Sequence, residues 1–203
     1  MLYYNYINKT GGVVHMTKFY ISDCHFGHGN IIAFDGRPFN DSDEMDEFMI
    51  QQWNSVVKKS DEVYIIGDMF MGHNSDAQIK ILNRLKGMKH LIEGNHDKRV
   101  AKVYQKYQSV SQIKQVKDGA YKLFLCHYPI PVFTGHYYDH VFHLYGHVHN
   151  THEEEITQIH LDQMHQYELG PTHMLNVGAM MPYMNYTPRT LDELWDIYHS
   201  IRS

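Results

Sequence analysis

Residues 89–97 read KHLIEGNHD: a short apolar run that stops on glycine and then sets an amide, an imidazole and a carboxylate side by side. The run has the length and the ending of a buried strand. Polar groups just beyond a strand's C-terminal end are where open α/β sheets carry their sites. Two earlier segments share this form. Residues 18–22 (KFYIS) run into Asp23, Cys24 and His25, and residues 62–66 (EVYII) run into Gly67 and Asp68. Between them Met45, Phe48, Met49, Trp53 and Val56 recur at spacings of three and four, behind Asp41, Ser42 and Asp43, any of which can cap a helix. A second helix is expected over residues 75–86, with Ile79, Leu82 and Leu85 on one face and Gly87 as its stop. The order is therefore βαβαβ, which calls for an α/β fold with helices laid on a sheet. Residues 111–126 read as two strands around Asp118-Gly119, a tight-turn dipeptide, so the sheet should be mixed rather than purely parallel. A strand-like HLYG follows at His143. Residues 151–169 are acidic, histidine-rich and poorly periodic, as compatible with a long loop as with a helix. The segment PRTLDELWDIYHS closes the chain as a helix that Thr190 can cap.

Composition sets bounds on function. A chain of 203 residues suffices for one domain with a sizeable core and leaves little for a second. The net charge is −5, and no run of Lys or Arg is dense enough to make a general nucleic-acid face. No apolar stretch approaches the roughly 20 residues that span a bilayer, and the N-terminus lacks the basic-then-apolar order of a secretory signal. The expectation is a soluble, cytoplasmic protein with no membrane partner. Its two cysteines, Cys24 and Cys126, are expected to be reduced and buried, each turned away from the neighbouring ligand if the segment is extended. The unusual number is histidine, 17 in all.

Five predicted strand ends carry polar clusters: Asp23 with His25, Gly67 with Asp68, the Asn95-His96-Asp97 run, His127, and His147 with His149. Singly, each is commoner as a capped turn or a packed side chain. As an ordered set, each cluster follows its own strand, and the five are expected to supply one rim. Two divalent cations held about 3.5–4 Å apart need a bridging carboxylate, and mixed oxygen and imidazole donors suit Mn, Fe, Zn, Ni or Co better than Mg. Two such cations, two carboxylates and one hydroxide leave a residual charge of about +1. An acidic protein can thus still draw in a phosphate.

The motif order D-x-H, GD, GNHD, H and GHxH resembles that of the calcineurin-like metallophosphoesterase superfamily over residues 17–149, with every core motif intact. The segments DCHFGHGNIIAFDGRPF, WNSVV, VYIIGD, LIEGNHD and LYGHVHN are similar to a subgroup of small bacterial and phage phosphoesterases. The resemblance implies two mixed β-sheets packed as a sandwich and flanked by helices. It also implies two divalent transition-metal ions, Mn the leading expectation. One would take Asp23, His25 and His149, the other Asn95, His127 and His147, with Asp68 bridging. His96 would protonate the leaving oxygen and Asp97 would orient its imidazole. A metal-bridging hydroxide would attack a small phosphate mono- or diester in line, without a covalent intermediate. The alternatives are a nuclease or cyclic-nucleotide diesterase within the same chemistry, and a non-catalytic scaffold that keeps the fold and the metals.

His28, Asn30 and Arg37 follow the first metal motif and are candidates for substrate binding. Arg37 has the geometry for a bidentate phosphate clamp, with pinning of the GRPF turn as the structural alternative. His73, His136, His140 and His143 are expected mainly in loop or surface packing, and His152, His160 and His165 on a solvated acidic face. Residues 151–169 exceed a plain strand connection, and a surface hairpin, a lid or an oligomer contact are the readings open to them. Residues 1–15 precede MTKFYISD and add nothing the site needs. Gly11-Gly12 can be encoded as a ribosome-binding sequence three codons before Met16. Met16 is therefore expected as the natural start, with residues 1–15 a weakly ordered extension or an added edge strand and residues 16–203 the single domain.

Overall fold

The computed structural model of the chain describes residues 5–7 and 13–202. Two strands, β1 (Asn5–Ile7) and β2 (Val13–His15), pair antiparallel as a small sheet that joins neither main sheet. The rest of the expected extension, residues 1–4 and 8–12, lies outside the described residues.

The first main sheet is built from the segments that the sequence marks most plainly. The strands β3 (Lys18–Ile21), β4 (Glu62–Ile66), β5 (Met88–Ile92) and β6 (Ser109–Ser111) run parallel, and β11 (Arg189–Thr190) closes the β3 edge antiparallel. The helices that return the chain between these strands are amphipathic. In α2 (Ser42–Val56) Asp41 caps by accepting from the Glu44 N–H, and Met45, Met49, Ile50 and Trp53 are buried. The Trp53 indole donates to the Lys86 carbonyl, which ties α2 to the end of α3 (Ser75–Arg84). That helix stops at Arg84, earlier than the pattern suggested, because Leu85 is already extended and leads toward β5. The short helices α1 (Gly29–Asp35) and α4 (Ala101–Tyr104) follow the site loops of β3 and β5.

The second sheet has the order β10-β9-β8-β7. In it β8 (Tyr121–Cys126), β9 (Val141–Tyr145) and β10 (His173–Asn176) are parallel, and β7 (Ile113–Asp118) pairs antiparallel with β8 across the Gly119-Ala120 turn. Side chains of a strand alternate between faces, and here the alternation feeds two cores. Leu123, Leu125, Phe142, Leu144 and Leu175 pack with Ile21, Val63, Ile65 and Leu91 of the first sheet. Phe124, Cys126, Val141, Tyr145 and Met174 pack on the opposite face with Leu161 and Met164 of α5 (His152–Gln166). The result is an α/β sandwich of two mixed sheets flanked by helices, as the resemblance implied. Cys24 and Cys126 are free and buried core residues.

Two details refine the sequence reading, and the expected Thr190 cap is present. The hairpin opens at Ile113 rather than Ser111, which instead ends β6, a parallel edge strand on β5. Residues 151–169 are mainly helical rather than a hairpin or loop. The buried face of α5 is only Glu154, Leu161 and Met164, and its first member is a carboxylate held by the Tyr145 hydroxyl, so the helix shows little apolar periodicity. At the C-terminal helix α6 (Leu191–Arg202), Thr190 and Glu193 exchange side-chain to backbone hydrogen bonds, a reciprocal cap.

Candidate metal centre

The five polar clusters sit at the C-terminal ends of β3, β4, β5, β8 and β9, and the chain bends hard to bring their donors together. Of nine non-glycine residues with positive φ among the described residues, five are Asp23, His25, Asp68, His147 and His149, with φ between 51° and 72°. Such conformations are costly for residues with a side chain and gather where function over-determines the backbone. Cross-loop hydrogen bonds hold them in place, from Asp23 N to Gly67 O, His25 N to Asp68 O, and Gly146 N to His127 O. Close approach also demands glycine. A Cβ at Gly94 would lie 2.2 Å from Asp68 Oδ1, and one at Gly146 would lie 2.1 Å from Asp23 Oδ2.

Two donor sets result. In the first, His25 Nε2 and His149 Nε2 lie 3.2 Å apart, with Asp23 Oδ1 at 3.5 Å from His149 Nε2. In the second, Asn95 Oδ1 is 2.9 Å from His147 Nδ1 and 3.2 Å from His127 Nε2. Asp68 Oδ2 lies between the sets, 3.7 Å from His25 Nε2 and 3.4 Å from His127 Nε2. The other Asp68 oxygen accepts from the His96 N–H. Asp23, Asp68 and His127 also group tightly enough to share an ion. Two imidazoles are aimed from behind: His127 Nδ1 donates to the Ile66 carbonyl, and His149 Nδ1 pairs with Asp35 Oδ1 at 2.7 Å. Each leaves Nε2 for the centre. His25 has no partner on Nδ1, and its Nε2 faces the cluster. This donor chemistry, with backbone strain spent to assemble it, fits two divalent cations.

The charges tell the same story. Burial pulls His127 and His149 down, but Asp68 beside the first, and Asp23 and Asp35 beside the second, outweigh it and raise both to about 9. Burial lowers His25 to about 3. Burial pushes the Asp23 carboxyl up, yet the surrounding imidazoles hold it well below the usual range. Protons on His127 and His149 thus occupy the places of cations, and a metal ion must displace them because its ligands bind deprotonated. Metal affinity should therefore climb between pH 6 and 9 with release of protons, measurable by titration calorimetry in buffers of different ionisation enthalpy; an affinity flat across that range would contradict the arrangement. The sign for stability is opposite. A raised histidine pKa stabilises the metal-free fold fully below about 6.5, and that contribution is lost as pH rises through about 9.

Arg37 requires a correction. Its side chain is fully buried, and it donates to the carbonyls of Asp23 and Cys24 and to the Asp35 carboxylate, so no donor is left to clamp a phosphate. It pins the first metal loop and, through Asp35, His149. Asp97 requires another. Its oxygens accept from the N–H groups of Asp68, Met69 and Gly94, not from the His96 ring. Burial raises its carboxyl to about 6 even so. Asp97 fastens the Asp68 loop to the GNHD loop instead of orienting an acid. His96 is exposed at the lip, its ring 5.7 Å from that of His25, and its imidazole makes no hydrogen bond among the described residues. His28 packs 5.5 Å from His25, and Asn30 is exposed in the first turn of α1. Of the other histidines, His143 is buried between the Phe124 and Tyr128 carbonyls, and His73 pairs with Asp46.

Two contributors escaped the sequence reading. Asp35 stands within the FDGRPF stretch, but its partner His149 is 114 residues away. Asn176, fully buried, donates to the His149 carbonyl and to Glu154. Asp35→Asn keeps the shape and removes the charge behind His149, so metal affinity should drop roughly 10- to 100-fold. An unchanged dissociation constant would confine Asp35 to holding Arg37.

No family model matches the chain. The uncharacterized protein MJ1445 of Methanocaldococcus jannaschii is 31% identical over 179 residues, covering 87% of this chain and 89% of its own. The gene 66 protein of Mycobacterium phage L5 is 37% identical over 81 residues, 38% of each chain. Among solved structures, the protein of unknown function AQ665 from Aquifex aeolicus shares the fold with a TM-score of 0.69 at 21% identity, over 90% of this chain and 100% of that one. With 31% identity over most of both chains, the chain belongs to the same family as the archaeal protein MJ1445.

Proposed function

We propose that this chain is a dinuclear-metal phosphoesterase that hydrolyses a phosphate mono- or diester. The observation that carries the reading is Asp68 Oδ2, one carboxylate oxygen set between two separate imidazole groups at 3.7 and 3.4 Å. Asp23, His25 and His149 would hold one ion, Asn95, His127 and His147 the other, and Asp68 both; Mn is the first candidate, with Fe, Zn, Ni or Co suited to the same donors. A bound pair supplies a water of lowered pKa and draws charge from the phosphate oxygens.

The residues around the pair do the rest. His96, at the lip, is placed to give a proton to the departing ester oxygen, and its backbone N–H holds Asp68 in register. A cavity of about 200 Å³ opens beside Asn95 and His96, with Phe70, Met71 and Tyr104 in its wall, and offers room for part of an ester group. The net charge of −5 favours a small substrate over a polynucleotide. Among the described residues no helix is long and apolar enough to cross a membrane.

The test is elemental analysis of the purified protein, followed by hydrolysis of paired mono- and diesters under added Mn. Two ions per chain with turnover of either ester supports the reading. Two ions per chain without turnover of any ester would leave a metal-holding scaffold in its place.

A further inference from the structure

Two large aromatic side chains stand in solvent beside the centre, and nothing in the packing of the fold accounts for them. Phe34, 74% exposed, projects from the last turn of α1 and meets the His28 ring edge-on at 6.4 Å; His28 in turn packs on His25 of the first donor set. Tyr128, 44% exposed, lies edge-on to His147 at 4.6 Å and to His127 at 5.3 Å, both of the second donor set. Each is held firmly from behind. The residue after Phe34 is Asp35, locked to Arg37 and His149, and two residues past Tyr128 the Ile130 N–H donates to buried His143. Rigid backbone with exposed ring faces is the arrangement of a stacking platform, in which little ordering entropy remains to be lost on binding.

We propose that Phe34 and Tyr128 are specificity residues that stack on planar groups carried by the two ester arms of a phosphodiester, one beside each donor set. The proposal rests on the phosphoesterase reading for the place of the phosphate, between the two sets at Asp68. It adds the substrate class: a small diester with an aromatic or heteroaromatic group on each arm, rather than an alkyl ester or an inorganic-like monoester. A single exposed aromatic would be unremarkable on any surface. Two of them, each in contact with a histidine of a different donor set or with that histidine's neighbour, define a line across the centre.

Binding and turnover test it separately. For binding, diphenyl phosphate and dimethyl phosphate are titrated calorimetrically into the metal-loaded protein. The aryl ester should bind more tightly, and Phe34→Ala or Tyr128→Ala should each cost roughly 5- to 100-fold in its affinity, the scale of one stacking contact. Dimethyl phosphate affinity and metal content should stay unchanged, and Tyr128→Phe should bind as the parent does. For turnover, bis(4-nitrophenyl) phosphate is compared with methyl 4-nitrophenyl phosphate, which releases the same 4-nitrophenolate and differs only in the retained arm. The bis-aryl ester should show the lower KM, and either alanine variant should shrink that advantage. If the binding differences hold but neither ester is cleaved, the phosphoesterase reading fails and the stacking assignment stands. Equal affinity for the two phosphates, no binding of either, or a preference untouched by both alanine variants overturns the assignment.

Discussion

Asp68→Asn should give a protein that folds with near-parental melting temperature, retains fewer than two ions per chain and loses at least about 10³-fold in kcat/KM. The rate figure is the equivalent of the several kcal/mol that a cation supplies to a developing charge. The substitution is chosen for what it preserves. An asparagine oxygen can still accept from the His96 N–H, so the loop of β5 keeps its anchor on the loop of β4. What changes is the oxygen between His25 and His127, which becomes either a neutral acceptor or an amide donor. His127 also loses the carboxylate whose hydrogen bond and charge do most to hold it near 9, so its proton leaves at lower pH. Elemental analysis reads the outcome directly. Two ions per chain in the variant, as in the parent, would show that Asp68 does not bridge, and the dinuclear arrangement would need another carboxylate, for which Asp23, buried in the same cluster, is the candidate among the described residues.

The parts of this centre that the sequence exposed are the ones governed by local rules. A β-branched or aromatic run that gives way to a polar group, with or without an intervening glycine, is a short-range pattern, and Asp23, Asp68, Asn95, His127 and His147 each sit at the end of such a run. The parts that stayed hidden depend on what crosses between loops. Arg37 looks like an anion clamp because a lone arginine near a phosphate site usually has solvent to reach through; here the chain folds over it, and oxygen acceptors of the loop after β3 and of the end of α1 consume its donors. Asp97 stands next to His96 in sequence, yet neighbouring side chains on a tight turn diverge, and its carboxylate turns inward to the unpaired N–H groups of Asp68, Met69 and Gly94. Satisfying buried backbone donors outweighs orienting an exposed imidazole. The sequence leaves residues 151–169 open between helix and loop for a related reason: a buried glutamate breaks the apolar stripe of the helix, and the partners that make the burial tolerable, Tyr145 and Asn176, lie on strands of the second sheet.

At His96 the expected result separates binding from chemistry. His96→Ala should keep both ions, because the side chain lies at the lip outside both donor sets and the backbone N–H that steadies Asp68 survives the substitution. The rate should fall roughly 10²- to 10⁴-fold, the scale of positioned acid catalysis. The loss should depend on the leaving group. A nitrophenolate is stable as an anion and needs little protonation, whereas the alkoxide of an alkyl ester leaves badly without a proton, so the variant should be damaged more on alkyl esters. Since no hydrogen bond from Asp97 holds the ring, Asp97→Asn should not reproduce this leaving-group signature. It should instead loosen the Asp68 loop and show itself in metal retention. Three results would each redraw the division of labour. Loss of metal in His96→Ala would make the residue a ligand. Equal losses on both leaving groups, with metals intact and chemistry rate-limiting, would make it a positioning group. A leaving-group signature in Asp97→Asn would restore the contact between carboxylate and imidazole that this geometry does not contain.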